Sequence, residues 1–592
     1  MIQYRGKKKS LPAFLILCCL CSQAATSEKP SETVGLIVDE YIDEWKRFHP
    51  SRAFSQGLLE SITGLEDFSP EAIAVWIAFN EQTMDRLDAL SDLHRDDHID
   101  RRLLRAQIRT ELERWLTERL HETSLSLYSD RISHALPLIL ESPLLSDDQK
   151  RRLLFDRLEQ IGDLARAAQV SLRDGRPEET RQALASLETT VDYLHGELPL
   201  SAEPSVDEAS AAELQAATSR ASGAIGALIE HAQIELLPNL TLPDEPILGR
   251  DTYARKLAIY TDSDLTPERL EKMAWQEIQA STEALEVMAA AYWSEIDPGT
   301  PVPADFDTLV GRAFADLEEN RPDTEDEYLL ELRRYGQEVE NFVRDHEIAT
   351  VPDRQTLSIE LAPESSGPMA RIGYVSSAPA FHPNPWTTWY LATIPDSHPE
   401  QERIDFWRSF NYSFKRFIVI HELFPGHYMQ LKILRENPHQ VRILFPYRPF
   451  IEGWATFTER IVLDAGYAKG DWLTRFAQLR KQLENANRAY MSVQAHCHGW
   501  NEEQVTRFSI ETSLLAPQFA KSLWGRLMSS PMQIITYMFV GIELREIYEA
   551  ERERLGDGFV LRDFMDTILR TGPAPSDELA EILAAKSESA PE

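Results

Sequence analysis

The chain has 592 residues, of which 43% are hydrophobic, and a formal charge of −35. That composition is ordinary for a soluble globular protein with a large core, and disorder is not its default state. The acidic balance argues against nucleic acid or an anionic membrane surface as partner. At the N-terminus, Arg5 and Lys7 to Lys9 precede the apolar run Leu11 to Cys21 and the small residues Ala24 and Ala25. This is the layout of a cleavable signal peptide over residues 1–24. The run is too short to span a bilayer, so a periplasmic or secreted protein without stable membrane insertion is expected. Cys18, Cys19 and Cys21 leave with the signal; Cys497 remains alone, and the mature chain has no intramolecular disulfide. Neither Cys19 nor Cys21 follows the leucine and small residues of a lipoprotein signal, so lipid anchoring is not expected.

Residues 25–350 read as an N-terminal region of successive amphipathic helices, with apolar residues recurring at three- and four-residue spacing. Ser69, Pro70 and Glu71, like Thr266, Pro267 and Glu268, place a capping hydroxyl before a proline at the first helical position. Ser146 with Gln149, and Thr324 with Glu327, form capping-box patterns. Proline-bearing breaks near Pro199 to Pro204 and Pro238 to Pro246 separate helix groups without the length of a flexible linker. Between about Arg354 and Asp396, three stretches of strand-formers (Leu357 to Leu361, Arg371 to Ser376 and Thr387 to Ile394) predict a small sheet. From Gln401 the chain is helical again, with Pro449, Asn501 and Pro531 near successive starts. Residues 351–592 are read as the catalytic region, continuous with the N-terminal helices in one mainly α fold.

The chemistry centres on His421, Glu422, Pro425, Gly426 and His427, a stretched form of the H-E-x-x-H pattern. In that pattern histidines at i and i+4 share a helix face and bind zinc, while the glutamate polarises water. With His427 at i+6, an ideal helix at about 100° per residue sets the two imidazoles about 120° apart, so the helix must be distorted. Pro425 and Gly426 are expected to supply the distortion as a local bulge, at about 3 and 1 kcal/mol against alanine. A catalytic zinc takes three protein ligands and keeps a fourth position for water. Glu452, on the helix after the break at Pro446 and Pro449, is the expected third ligand. Glu459, two turns further on the same face, would orient a ligand histidine. The two glutamates could exchange these roles.

These two motifs, with Gln430 after the first and Gly453, Trp454 and Ala455 after Glu452, resemble the bacterial domain-of-unknown-function 885 family, whose members are regarded as gluzincin-like zinc metallopeptidases. The likeness continues through Arg488, His496, Gly499, Trp500, Arg526, Pro531, Gln533, Tyr537, Gly541, the run Leu561 to Phe564, and Gly572. It implies a mainly helical fold with a deep cleft, akin to thimet oligopeptidase and angiotensin-converting enzyme, in which a glutamate on the second helix completes the zinc site. Two departures concern its supporting network: Ser492 stands where the family usually has Asp, and Met565 where it usually has His.

The expected activity is therefore that of a zinc-dependent hydrolase with one Zn2+ per chain, acting on a peptide or small amide, with Glu422 as general base. Tyr537 or His496 is expected to donate to the developing oxyanion, a contact worth about 3 kcal/mol. Arg488 and Arg526 could hold a substrate carboxylate, and Tyr374, Trp386 and Trp389 could shape pockets beside a peptide lying along the sheet edge. An amidase or esterase using the same ligands, and a non-catalytic binding protein on the same scaffold, are the alternatives.

Overall fold

Capping hydroxyls and prolines decide where the helices begin. The computed structural model describes residues 33–58, 64–196, 198, 208–352, 356–395, 397–515 and 517–588. In it Ser69 accepts a hydrogen bond from the Ala72 N–H with Pro70 at the helix start, and Thr266 does the same for Arg269 ahead of Pro267. Ser146 and Gln149 close a reciprocal capping box. The box expected at Thr324 is half formed: Thr324 accepts from the Glu327 N–H at 3.2 Å, but the Glu327 carboxylate takes the Asp323 N–H instead of the cap's own. The expected signal peptide with its three cysteines, and the break at 199–204, lie outside the described residues.

Three N-terminal helices, α1 (Val34–Phe48), α2 (Pro70–Asp88) and α3 (Arg95–Leu112), pack on one another. In the next group α6 (Glu208–His231) lies against both α4 (Asp147–Ser171) and α5 (Pro177–Gly196). The chain then runs through α7 (Arg250–Thr261), α8 (Pro267–Ile296), α9 (Phe306–Glu319) and α10 (Glu325–Asp345) into the sheet. Strands β1 (Leu357–Leu361), β2 (Tyr374–Ser377) and β3 (Thr387–Leu391) are ordered β1-β3-β2. β1 pairs parallel with β3, Ile359 opposite Trp389, and β2 pairs antiparallel with β3, Val375 opposite Trp389. This leaves β2 as an edge strand, and it starts later than its sequence predicts because a 3-10 segment runs through Arg371, and Ile372 and Gly373 turn before the strand begins.

The site is carried by the helices that follow: α11 (Tyr412–Glu422), α12 (His427–Leu434), α13 (Arg448–Asp464), α14 (Trp472–His498), α15 (Pro517–Ser529) and α16 (Thr536–Leu555). α14 packs along α8, and α11 lies across α10, α13 and α14. α13 and α16 run against each other where Gly453 leaves space: a Cβ there would stand 2.4 Å from Val540 Cβ. The protein is thus mainly helical with a small sheet, and no described helix is long and apolar enough to cross a membrane.

Candidate metal centre

α11 delivers His421 and Glu422 in its last turn and stops. The expected bulge within one helix is replaced by a break. Leu423 to Gly426 leave the helical path, the Phe424–Pro425 peptide is cis, and a second helix starts at His427 with Gly426 as its cap. Hydrogen bonds from Gly426 N to Ile420 O (3.1 Å) and from Met429 N to Leu423 O (3.2 Å) tie the two helices across the break. Any side chain at 426 would collide with the backbone, since its Cβ would fall 1.9 Å from the His421 carbonyl oxygen. Trp454 on α13 is fully buried and donates its indole N–H to Pro425 O at 2.9 Å, fixing the break against the helix that bears Glu452.

The break turns the two imidazoles towards each other, with ring centroids 4.7 Å apart and planes at 86°. Glu452 Oε2 lies 3.6 Å from His421 Nε2 and 3.3 Å from His427 Nε2. Ligands about 2.05 Å from a tetrahedral zinc stand about 3.3 Å from one another, so these spacings suit one ion. Among the described residues His421, His427 and Glu452 form the one group of three whose donor atoms converge in this way. Glu459 Oε1 lies 2.8 Å from His421 Nδ1. A proton on Nδ1, donated to this buried carboxylate, leaves Nε2 as the nitrogen that faces Glu452. Of the two roles left open by the sequence, Glu452 thus faces both histidines and Glu459 stands behind His421.

Burial acts to lower the pKa of His421 and to raise that of Glu452; in both the partner charges win. The carboxylates of Glu452 and Glu459 push His421 up to about 10, and the imidazoles of His421 and His427 hold Glu452 well below the carboxylate range. A metal cation at Nε2 would take the place of the proton that these carboxylates favour there. The group is supported from α16 and the turn before it: Gln533 Nε2 donates to Glu452 Oε1 and to the Tyr537 hydroxyl, both at 3.2 Å.

A cavity of about 270 Å³ opens on the group, lined by Glu422, His427, Glu452, Tyr537 and Lys415 together with Tyr374 and Trp389 of the sheet. Tyr537 Oη accepts from Arg526 Nη2 at 2.9 Å and from Gln533, so its own proton is left to donate into this cavity. Trp386 does not line it and is 43% exposed.

His496 is not brought to the site, and its expected place as an oxyanion donor is corrected. The ring is buried against Tyr253, with Leu248 N at 3.3 Å from Nδ1 and Leu527 O at 3.1 Å from Nε2, so both nitrogens serve packing. Ser492 lies one turn earlier on α14, 2.9 Å from the Tyr253 hydroxyl, and donates to Pro531 O at the start of the segment that carries Gln533. Met565 is buried in the apolar core. Arg488 and Arg526 line a second cavity that also touches Glu422 and Tyr537. Arg488 is anchored there by Glu484, one turn back on its own helix.

Two contributors escaped the sequence reading. Lys415 lies two turns before Glu422 on the same face of α11, a spacing that marks it once Glu422 is chosen. Gln533 stood in the family motif without a role, because only the fold carries it to Glu452.

Fold and site together define a mainly helical protein with a candidate metal centre of two histidines and a glutamate. The chain belongs to the family described as "Bacterial protein of unknown function (DUF885)", which matches residues 50–583. It is similar to a solved structure described as "a putative lipoprotein of unknown function from Shewanella oneidensis", with a TM-score of 0.81 and 20% identity over 94% of this chain and 100% of that one. A second, "the putative lipoprotein from Colwellia psychrerythraea", has a TM-score of 0.71 and 15% identity over 94% of this chain and 99% of that one. At these identities the likeness establishes a shared fold. Comparison with curated proteins returned no match.

Proposed function

We propose that this protein is an exported zinc-dependent hydrolase, a peptidase cleaving peptides or small amides within a cleft between its helices. The observation that carries the reading is the convergence of His421 Nε2, His427 Nε2 and Glu452 Oε2 beside a cavity that also holds Glu422 and Tyr537. His421, His427 and Glu452 would hold a zinc ion, which would supply Lewis acidity to a carbonyl and acidify a water. Glu459 keeps His421 in the tautomer that presents Nε2. Glu422, next in the chain and ligating nothing, takes the proton of the attacking water and returns it to the leaving nitrogen. The Tyr537 hydroxyl donates to the carbonyl oxygen as it gains charge. Strand β2 brings Tyr374 and Val375 to the same cavity from the edge of the sheet, where an extended peptide can add as a further strand.

Export is supported by the pattern of residues 1–24 and agrees with the description "putative lipoprotein" that both similar structures carry. That description reopens anchoring through Cys19 or Cys21, which the mass of the mature N-terminus decides. The test of the main reading is metal content by elemental analysis of the parent, Glu452→Ala and Glu422→Gln. About one zinc per chain is expected in the parent and in Glu422→Gln, with little in Glu452→Ala. A parent that takes up no zinc when it is supplied overturns the hydrolase reading in favour of a binding protein.

A further inference from the structure

The cavity at the metal centre does not end there. Ile372, Gly373, Lys415, Glu422 and Tyr537 also line a second cavity of about 550 Å³, a size typical of small-ligand sites. Glu422 and Tyr537 thus stand where the two spaces meet, with the sheet and the metal ligands on one side and the faces of α9, α14 and α15 on the other.

The far space is unusual for its charge. In a chain of net charge −35 it gathers Lys415, Arg480, Lys481, Arg488 and Arg526, against Glu318, Glu422 and Glu484. Arg408 also reaches it but is paired with Glu319 and Asp405. Glu484 serves two of the cations at once, Lys481 at 3.3 Å and Arg488. Among the described residues Lys415, Arg480 and Arg526 have no ion pair. Lys415 lies over the Phe410 ring at 4.5 Å, Arg480 over Phe314 at 5.5 Å, and Arg526 donates only to neutral oxygens of Tyr537 and Gln533. Burial pushes Lys415 and Lys481 down to about 8, which the nearby carboxylates offset only in part. Cations withdrawn from water without matching counter-charge are costly, and a ligand carboxylate held by forked guanidinium donors would supply what is missing.

We infer that this second cavity is the subsite for the leaving half of the substrate and that it recognises a free carboxylate there. The enzyme then releases short C-terminal fragments and favours those with an acidic side chain. The inference rests on the hydrolase reading for its direction. In the balanced reaction one water is consumed: its oxygen ends on the acyl carbon on the metal side, the C–N bond breaks, and the proton held by Glu422 passes to the nitrogen of the fragment in the cationic cavity.

Two measurements separate the inference from the reading on which it rests. The first is binding by calorimetry to zinc-loaded Glu422→Gln, using Ala-Ala-Phe-Ala-Glu as the free acid and as its C-terminal amide. The second is hydrolysis of the same pair by the zinc-loaded parent. The free acid is expected to bind about tenfold more tightly than the amide, and Arg480→Met and Lys481→Met are each expected to shrink that ratio, with zinc content and melting temperature checking that they fold. Discrimination in binding without any hydrolysis would leave the subsite standing and remove the peptidase. Hydrolysis of acid and amide at equal kcat/KM, equal binding of the two, or binding of neither overturns the subsite; if a variant fails to fold, the acid-to-amide ratio of the parent framework still decides.

Discussion

Two buried histidine–glutamate pairs lie in the two halves of the molecule and have opposite surroundings. In the N-terminal half His49 Nε2 meets Glu111 at 3.0 Å. The same carboxylate accepts from Trp76 (3.0 Å), Trp115 (2.8 Å) and Gln107 (3.0 Å), within a cluster of aromatic rings. In the C-terminal half His421 meets Glu459 at 2.8 Å, but its other nitrogen, Nε2, faces Glu452 and a second imidazole beside a cavity. The first pair is walled in by aromatic rings, and its carboxylate is saturated with donors. The second is part of a converging set of donor atoms beside a cavity. A buried His–Glu contact is therefore no mark of chemistry; several metal-ligating side chains converging on one point beside a cavity are.

The comparison breaks first at Glu111. Glu111→Ala strands two indoles and an imidazole and is expected to cost about 3–5 kcal/mol of folding stability, read from urea unfolding, with zinc content unchanged. Burial alone would raise the Glu111 pKa, but His49 and the other donors hold the carboxyl well below its ordinary value. Its contribution is thus present above an unfolded value near 4.5 and lost as pH falls, so the penalty of Glu111→Ala shrinks on acidification. Glu459→Gln tests the other pair and is expected to weaken zinc affinity about 10- to 100-fold in a chelator titration. If it costs stability as Glu111→Ala does while zinc affinity is unchanged, the two pairs are alike after all. A pH-dependent effect is expected at Glu543, a part-buried carboxyl whose hydroxyl partner is Ser576 at 2.8 Å. Burial pushes it from 4.5 up to about 7. Its contribution is full below 4.5 and lost as pH rises through 7, so Glu543→Gln is expected to unfold at higher urea than the parent at pH 8.5, by about 2–3 kcal/mol, and at the same urea at pH 4.5.

What was legible in the sequence is what local spacing governs. The caps at Ser69, Ser146 and Thr266, the three strands, and the pairing of His421 and His427 with a glutamate on a following helix all follow from periodicity and from residues that start or stop helices. The manner of the distortion was not: spacing demands that the helix change course, but whether it bulges or ends depends on the Trp454 indole reaching Pro425 from another helix. His496 was misplaced for the same reason, since only packing places Leu248 and Leu527 around its ring. The cationic cavity was legible only as the isolated residues Arg488 and Arg526. Its walls are assembled from distant segments of the chain, and Lys481 and Glu484 look like any exposed helical pair until α9 and α15 close over them.

The contact of Gly453 with Val540 joins the helix bearing Glu452 to the one bearing Tyr537 almost backbone to backbone. Carboxylate and hydroxyl therefore ride on one stiff jaw. A displacement of this helix pair that widens the cavity is expected to carry both groups away from the sheet together, with their separation nearly unchanged.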